Sequence, residues 1–61
     1  MDPKTTVLII DDHPLFREGL KSIIGREPRY RLVGEADTAR AGIRLATELR
    51  PDVIIVDVSL P

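Results

Sequence analysis

Two uninterrupted apolar runs frame the chain. Val7-Leu8-Ile9-Ile10 and Val53-Ile54-Ile55-Val56 each carry four apolar residues with no polar break, and every residue of the second run is β-branched. Short continuous runs of this kind suit strands buried on both faces, as inside a parallel sheet. Between them the period changes. Phe16, Leu20, Ile23 and Ile24 recur at helical spacing and form one apolar stripe, with Arg17, Glu18 and Lys21 largely on the other side. Pro14 suits the first helical position, Gly25 a C-cap, and Pro28 stops any continuation. A shorter mixed run, Arg31–Ala36, reads as an edge strand. Asp37 or Thr38 can cap a second helix whose buried face is Ala39, Ile43, Ala46 and Leu49, with Leu45 alongside. Arg50 falls in its last turn, where a cation complements the helix dipole, and Pro51 ends it before Asp52 and the third strand.

The predicted order is β-α-β-α-β, an α/β doubly wound parallel sheet. Crossovers between parallel strands are right-handed in about 98% of cases. Moving out to the second strand and back past the first to the third therefore places the two helices on opposite faces. The strand order becomes 2-1-3, with the switch point between strands one and three. Ligands in open α/β sheets bind outside the carboxyl ends of the strands, at such a point. Both apolar runs end there in acid: Asp11 and Asp12 after the first, Asp57 after the third. The third strand is expected to present an open apolar edge, a template for self-association across a two-fold axis.

Composition narrows the field. The chain has 61 residues with nine basic and ten acidic side chains, a net charge of −1, and gives no electrostatic footprint for nucleic acid. It has no cysteine, so neither a disulfide nor a thiolate metal site supplements the core; this fits a cytoplasmic protein. No apolar run approaches the roughly 20 residues of a membrane span, and the first residues lack the apolar core of a signal peptide.

Three carboxylates at one sheet edge repel one another unless a cation joins them. A hard divalent ion with oxygen ligands is the natural occupant, and magnesium suits one or two carboxylates with retained waters. An aspartate can also act as a covalent nucleophile towards phosphorus. The plainer alternatives are helix-start charge for Asp11 and Asp12 and a strand-end turn acid for Asp57. His13 reads as a helix-start residue beside the acids. Arg26, Arg29 and Arg31 read as a solvated turn.

The segment Val-Leu-Ile-Ile-Asp-Asp-His-Pro-Leu-Phe-Arg-Glu-Gly-Leu at 7–20 resembles the opening of a response-regulator receiver domain, in particular those of LuxR/NarL-type transcriptional regulators. Val-Gly-Glu-Ala at 33–36 and Arg-Pro-Asp-Val-Ile-Ile-Val-Asp-Val-Ser-Leu-Pro at 50–61 are similar to the same family. The resemblance implies a partial flavodoxin-like (CheY-like) fold, with residues 1–61 as the N-terminal part of a receiver domain ending after the third strand. The rest of the receiver, including its switch Ser/Thr and phosphate-binding Lys, and any DNA-binding domain are then absent; Lys4 and Lys21 lie at no matching position. It implies Asp57 as phosphoacceptor, and Mg²⁺ held by Asp11, Asp12, Asp57 and the backbone carbonyl of Ser59. It implies a histidine kinase as phosphoryl donor, and control of transcription through a C-terminal DNA-binding domain.

Two other functions compete. A haloacid-dehalogenase-like phosphatase also uses an aspartyl nucleophile, but carries Asp-x-Asp where this chain has Asp57 and Ser59. A receiver-like module used only for protein contacts would not need the acid triad.

Overall fold

The computed structural model describes residues 4–57. Its elements are β1 (Thr5–Ile10), α1 (Pro14–Gly25), β2 (Tyr30–Ala36), α2 (Ala39–Leu49) and β3 (Val53–Val56). All strand pairing is parallel, in the order β2-β1-β3. β1 is central, and its residues 7–10 are all buried. The pleat sends alternate side chains to opposite faces. Val7 and Ile9 meet Ile24 and Leu20 of α1, with Leu32 and Ile55 beside them. Leu8 and Ile10 meet Ala41, Leu45 and Ala46 of α2, with Ala36. The helices thus cover opposite faces, as equal crossover handedness requires. The β1–β2 register slips between Val7 and Leu8, which pair with Leu32 and Gly34, leaving Val33 as the extra residue of a bulge.

Both helices are rotated from the orientation their apolar stripes suggest. In α1 the inward positions are Arg17, Leu20, Lys21 and Ile24, whereas Phe16 and Ile23 are 57% and 62% exposed. Arg17 and Lys21 lay their stems along the sheet and reach Glu35 on β2. In α2 the closest approach to the sheet falls at buried Gly42, so Ile43 and Ala39 turn outward while Leu45 and Ala46 stay inward. A Cβ on Gly42 would lie 2.3 Å from Ile10 Cδ1 and 2.7 Å from its Cγ1, so only glycine lets the helix this close. Leu49 is 41% exposed, yet its Cδ1 borders Gly34.

The helix ends also differ from expectation. Gly25 is the last residue of α1, and Arg26 is its cap, in ordinary right-handed geometry. The left-handed cap occurs instead at Arg50, φ 48°, ending α2 immediately before Pro51. Proline disfavours right-handed helical geometry in the residue before it, which pushes Arg50 out of the helix. β2 begins one residue early, at Tyr30. β3 is less buried than its composition suggests: Val53, Ile54 and Val56 are exposed, and among the described residues only β1 pairs with it.

Thr38 caps α2, its hydroxyl accepting from the Ala41 N–H at 3.1 Å, as the sequence suggests. Thr38→Ala is expected to lower stability by about 1 kcal/mol, read from denaturant unfolding. At the opposite edge of the sheet, Asp52 ties β3 to β1. Its Oδ2 accepts from the Thr6 N–H at 2.8 Å and the Thr6 hydroxyl at 3.0 Å, and its own N–H donates to Thr6 Oγ1 at 2.9 Å. The Thr6 N–H, then the hydroxyl, hold the Asp52 carboxyl below its ordinary value. A depressed folded-state value contributes stability above the unfolded value, lost as pH falls through the folded one. The stability gap between wild type and Asp52→Asn should therefore narrow as pH drops below about 4. Unfolding midpoints measured across acid pH check this.

Candidate functional site

The carboxyl ends of β1 and β3 adjoin, because the two strands pair in register from Val7↔Val53 to Ile10↔Val56. The ladder extends one step further on each side of β1. Asp11 N–H donates to Ala36 O at 2.9 Å, and Asp57 N–H donates to Ile10 O at 3.0 Å. Asp11 and Asp57 are thereby fixed by sheet hydrogen bonding, and Asp12 follows directly on the loop into α1. One ligand atom from each of Asp11, Asp12, His13 and Asp57 lies within 4.8 Å of the others. The three acids picked out from the sequence meet where the switch point was expected. Ser59 lies outside the described residues.

Exposure differs sharply across the cluster. The side chain of Asp11 is 2% exposed, that of Asp57 16% and that of Asp12 37%. Asp11 Oδ1 accepts from the His13 backbone N–H at 2.6 Å, a short-range turn that holds the start of α1. Asp11 Oδ2 is buried and has no hydrogen-bond partner among the described residues. A buried carboxylate oxygen left unpaired is costly, and a cation beside it removes that cost. All the side-chain donors here are hard oxygens apart from one imidazole, a set that suits a hard divalent cation.

His13 occupies the middle of the cluster. Its Nδ1 lies 3.0 Å from Asp57 Oδ2, 3.0 Å from Asp12 Oδ1 and 3.3 Å from Asp11 Oδ1. The hydrogen bond to Asp11, then the charge of Asp12 and the hydrogen bond to Asp57, raise its pKa above the ordinary imidazole value. Sequence reasoning set His13 beside the acids; the structure sets it among them. The signal was its place two residues after Asp11, within reach of an aspartate turn. A shallow depression lined by His13, Leu15, Phe16 and Asp57 opens over the Asp57 carboxylate. Among the described residues, no helix is long and apolar enough to cross a membrane.

A second set of charges supports the loop from behind. Arg17 Nη1 donates to the Asp11 backbone carbonyl at 2.7 Å, and its Nε donates to Glu35 Oε1 at 3.1 Å. Lys21 Nζ lies 3.0 Å from Glu35 Oε2 and 3.0 Å from Glu18 Oε1. Lys21, then Arg17, hold the Glu35 carboxyl below its usual range.

The response regulator receiver domain family matches residues 7–61. The transcriptional regulatory protein YdfI of Bacillus subtilis is 47% identical over 55 residues, covering 90% of this chain and 26% of YdfI. The chain thus spans about a quarter of that relative's length. Among solved structures, the signal receiver domain of NarL from Mycobacterium tuberculosis superposes with a TM-score of 0.94 at 38% identity, covering 98% of this chain and 48% of that one. RcsB from Salmonella enterica serovar Typhimurium, solved on promoter rprA with the phosphomimetic BeF3−, superposes with a TM-score of 0.88 at 31% identity, covering 95% of this chain and 29% of that one. With its 2-1-3 parallel sheet and three aspartates at the switch point, the chain belongs to the response regulator receiver domain family.

Proposed function

We propose that residues 1–61 are the N-terminal part of a receiver domain that accepts a phosphoryl group on Asp57, in a regulator that controls transcription. The observation that carries this is the junction of Asp11, Asp12 and Asp57 at the sheet switch point, with Asp11 Oδ2 buried and unpartnered among the described residues. Asp11, Asp12 and Asp57 would hold Mg²⁺, together with the Ser59 backbone carbonyl, as the family resemblance implies. Bound there, Mg²⁺ supplies positive charge against the oxygens of the transferring phosphoryl group.

The chain's own residues do the rest. An Asp57 oxygen attacks the phosphorus of a phosphohistidine on a histidine kinase. The new O–P bond forms as the P–N bond breaks, and the departing imidazole takes a proton from solvent. Water later attacks the phosphorus, returning the Asp57 carboxylate and inorganic phosphate. The depression at His13, Leu15, Phe16 and Asp57 leaves the acceptor approachable from outside. His13, whose side chain is 62% exposed, has room to swing from among the carboxylates into solvent. Burial fixes Asp11, while the more exposed Asp12 keeps access to water.

The remaining strands and helices of the receiver would cover the open edge of β3; the 48% coverage of the NarL receiver chain supports this. RcsB bound to promoter DNA in a phosphomimetic state supports a transcriptional output through a further domain. We place the whole protein in the cytoplasm, with a histidine kinase as its donor.

Magnesium titration of the full natural chain, followed by amide resonances, tests the reading. Shifts concentrated at residues 11–13 and 57 are expected. A chain serving only as a contact scaffold has no reason to respond there, and silence at these positions would contradict the proposal.

A further inference from the structure

We infer that Arg17 is a positioning residue for the acid loop, and that Glu35 and Lys21 hold Arg17 in place for that task. This rests on the reading of Asp11 and Asp12 as cation ligands. The backbone of Asp11 is held on both sides of its Cα, through the peptide that enters it and the peptide that leads on to Asp12. Asp11 N–H is bound by Ala36 O of β2 at 2.9 Å. Asp11 C=O is bound by Arg17 Nη1 at 2.7 Å. That carbonyl belongs to the peptide plane leading into Asp12, so the guanidinium sets the direction in which Asp12 leaves the strand. Without it, the Asp11 carboxylate remains packed but Asp12 is free to turn with its peptide.

The guanidinium is itself oriented. Its Nε is committed to Glu35 Oε1 at 3.1 Å, while Glu35 Oε2 is held by Lys21 at 3.0 Å. A planar fork can serve a carboxylate and a carbonyl together, where a lysine offers one point charge on a flexible stem. The side chains of Arg17, Lys21 and Glu35 are each only 20% to 34% exposed, so the arrangement is packed against the sheet and not a loose surface pair. At the acid loop Arg17 binds the Asp11 backbone carbonyl, so the Asp11 carboxylate stays available to a cation.

Two roles predict opposite outcomes. As a fixed positive charge behind the site, Arg17 would repel a divalent cation, and its removal would tighten binding. As a positioning residue, it organises the ligands, and its removal weakens binding. Partners that orient metal ligands typically contribute about 10-fold to 100-fold in metal affinity.

The test is calorimetric titration of Mg²⁺ into the full natural chain, as wild type, Arg17→Gln and Arg17→Lys, each checked for a cooperative thermal transition. Weakening of about 10-fold is expected for Arg17→Gln, with Arg17→Lys also weaker than wild type although its charge is retained. In parallel, the Mg²⁺ concentration giving half-maximal phosphorylation of Asp57 should rise, while the rate at saturating Mg²⁺ approaches wild type. A general loss of structure would lower that limiting rate instead. Affinity in Arg17→Gln equal to or tighter than wild type overturns the inference. So does Arg17→Lys behaving as wild type, which decides the matter if Arg17→Gln fails to fold. Absence of Mg²⁺ binding by the wild type overturns the metal reading itself, an outcome separate from the Arg17 comparison.

Discussion

Asp57→Asn is expected to abolish phosphorylation of the full natural chain by a small phosphodonor with Mg²⁺, while leaving the fold intact. The amide keeps the size of the carboxylate, and the Asp57 backbone N–H still donates to Ile10 O. What disappears is the anionic oxygen that we propose attacks phosphorus; a neutral amide is a poor nucleophile and a weaker cation ligand. Removing one of three crowded negative charges also relieves repulsion. Asp57→Asn should therefore melt no lower than wild type, even as its intact mass fails to rise by one phosphoryl group. Phosphorylation of Asp57→Asn at the wild-type rate would place the acceptor elsewhere.

Gly42→Val is expected to destabilise the chain by about 3 kcal/mol, at the upper end of core overpacking. The first added carbon would already lie 2.3 Å, 2.7 Å and 3.0 Å from three atoms of Ile10. Ile10 is 6% exposed and β-branched on the central strand, so its rotation is restricted on both counts. Helix propensity offsets little, because valine regains only a few tenths of the roughly 1 kcal/mol that separates glycine from alanine. Gly42→Ala should fall between wild type and Gly42→Val. Adding Ile10→Val to Gly42→Ala removes Cδ1, the atom in closest conflict, and should return part of the loss. Denaturant midpoints of the single and double variants test this coupling; simple additivity would show that the helix moves away as a unit.

The parts of this fold that were legible in the sequence depend on whole segments. Val7–Ile10 and Val53–Val56 had to be strands because no polar residue interrupts them, although only the first run is buried throughout and the second keeps Val53, Ile54 and Val56 exposed. A path out to the second strand and back past the first gives the 2-1-3 order, crossover handedness then sets the helices on opposite faces, and Asp11, Asp12 and Asp57 meet at the switch point. The helix rotations were not legible. Periodicity identifies an apolar stripe but not the local distance to the sheet. At α2 that distance is set by Gly42 against Ile10, which turns Ile43 outward. At α1 it is set by the long stems of Arg17 and Lys21, whose charged ends have Glu35 to reach. A cation at an inward helical position reads as an error until its partner on the neighbouring strand is known. The place of His13 among the acids is hidden in the sequence for a similar reason: its contact with Asp57 spans 44 residues.

The most direct test of the central claim is to locate the modified residue. The full natural chain is incubated with a small phosphodonor in Mg²⁺ or in chelator, trapped, digested and mapped by mass. One phosphoryl group, found only with Mg²⁺, on the peptide containing Asp57 and lost on treatment with hydroxylamine as an acyl phosphate must be, is the predicted result. A phosphoryl group on His13 or any other residue, or one that forms equally well in chelator, would contradict the account.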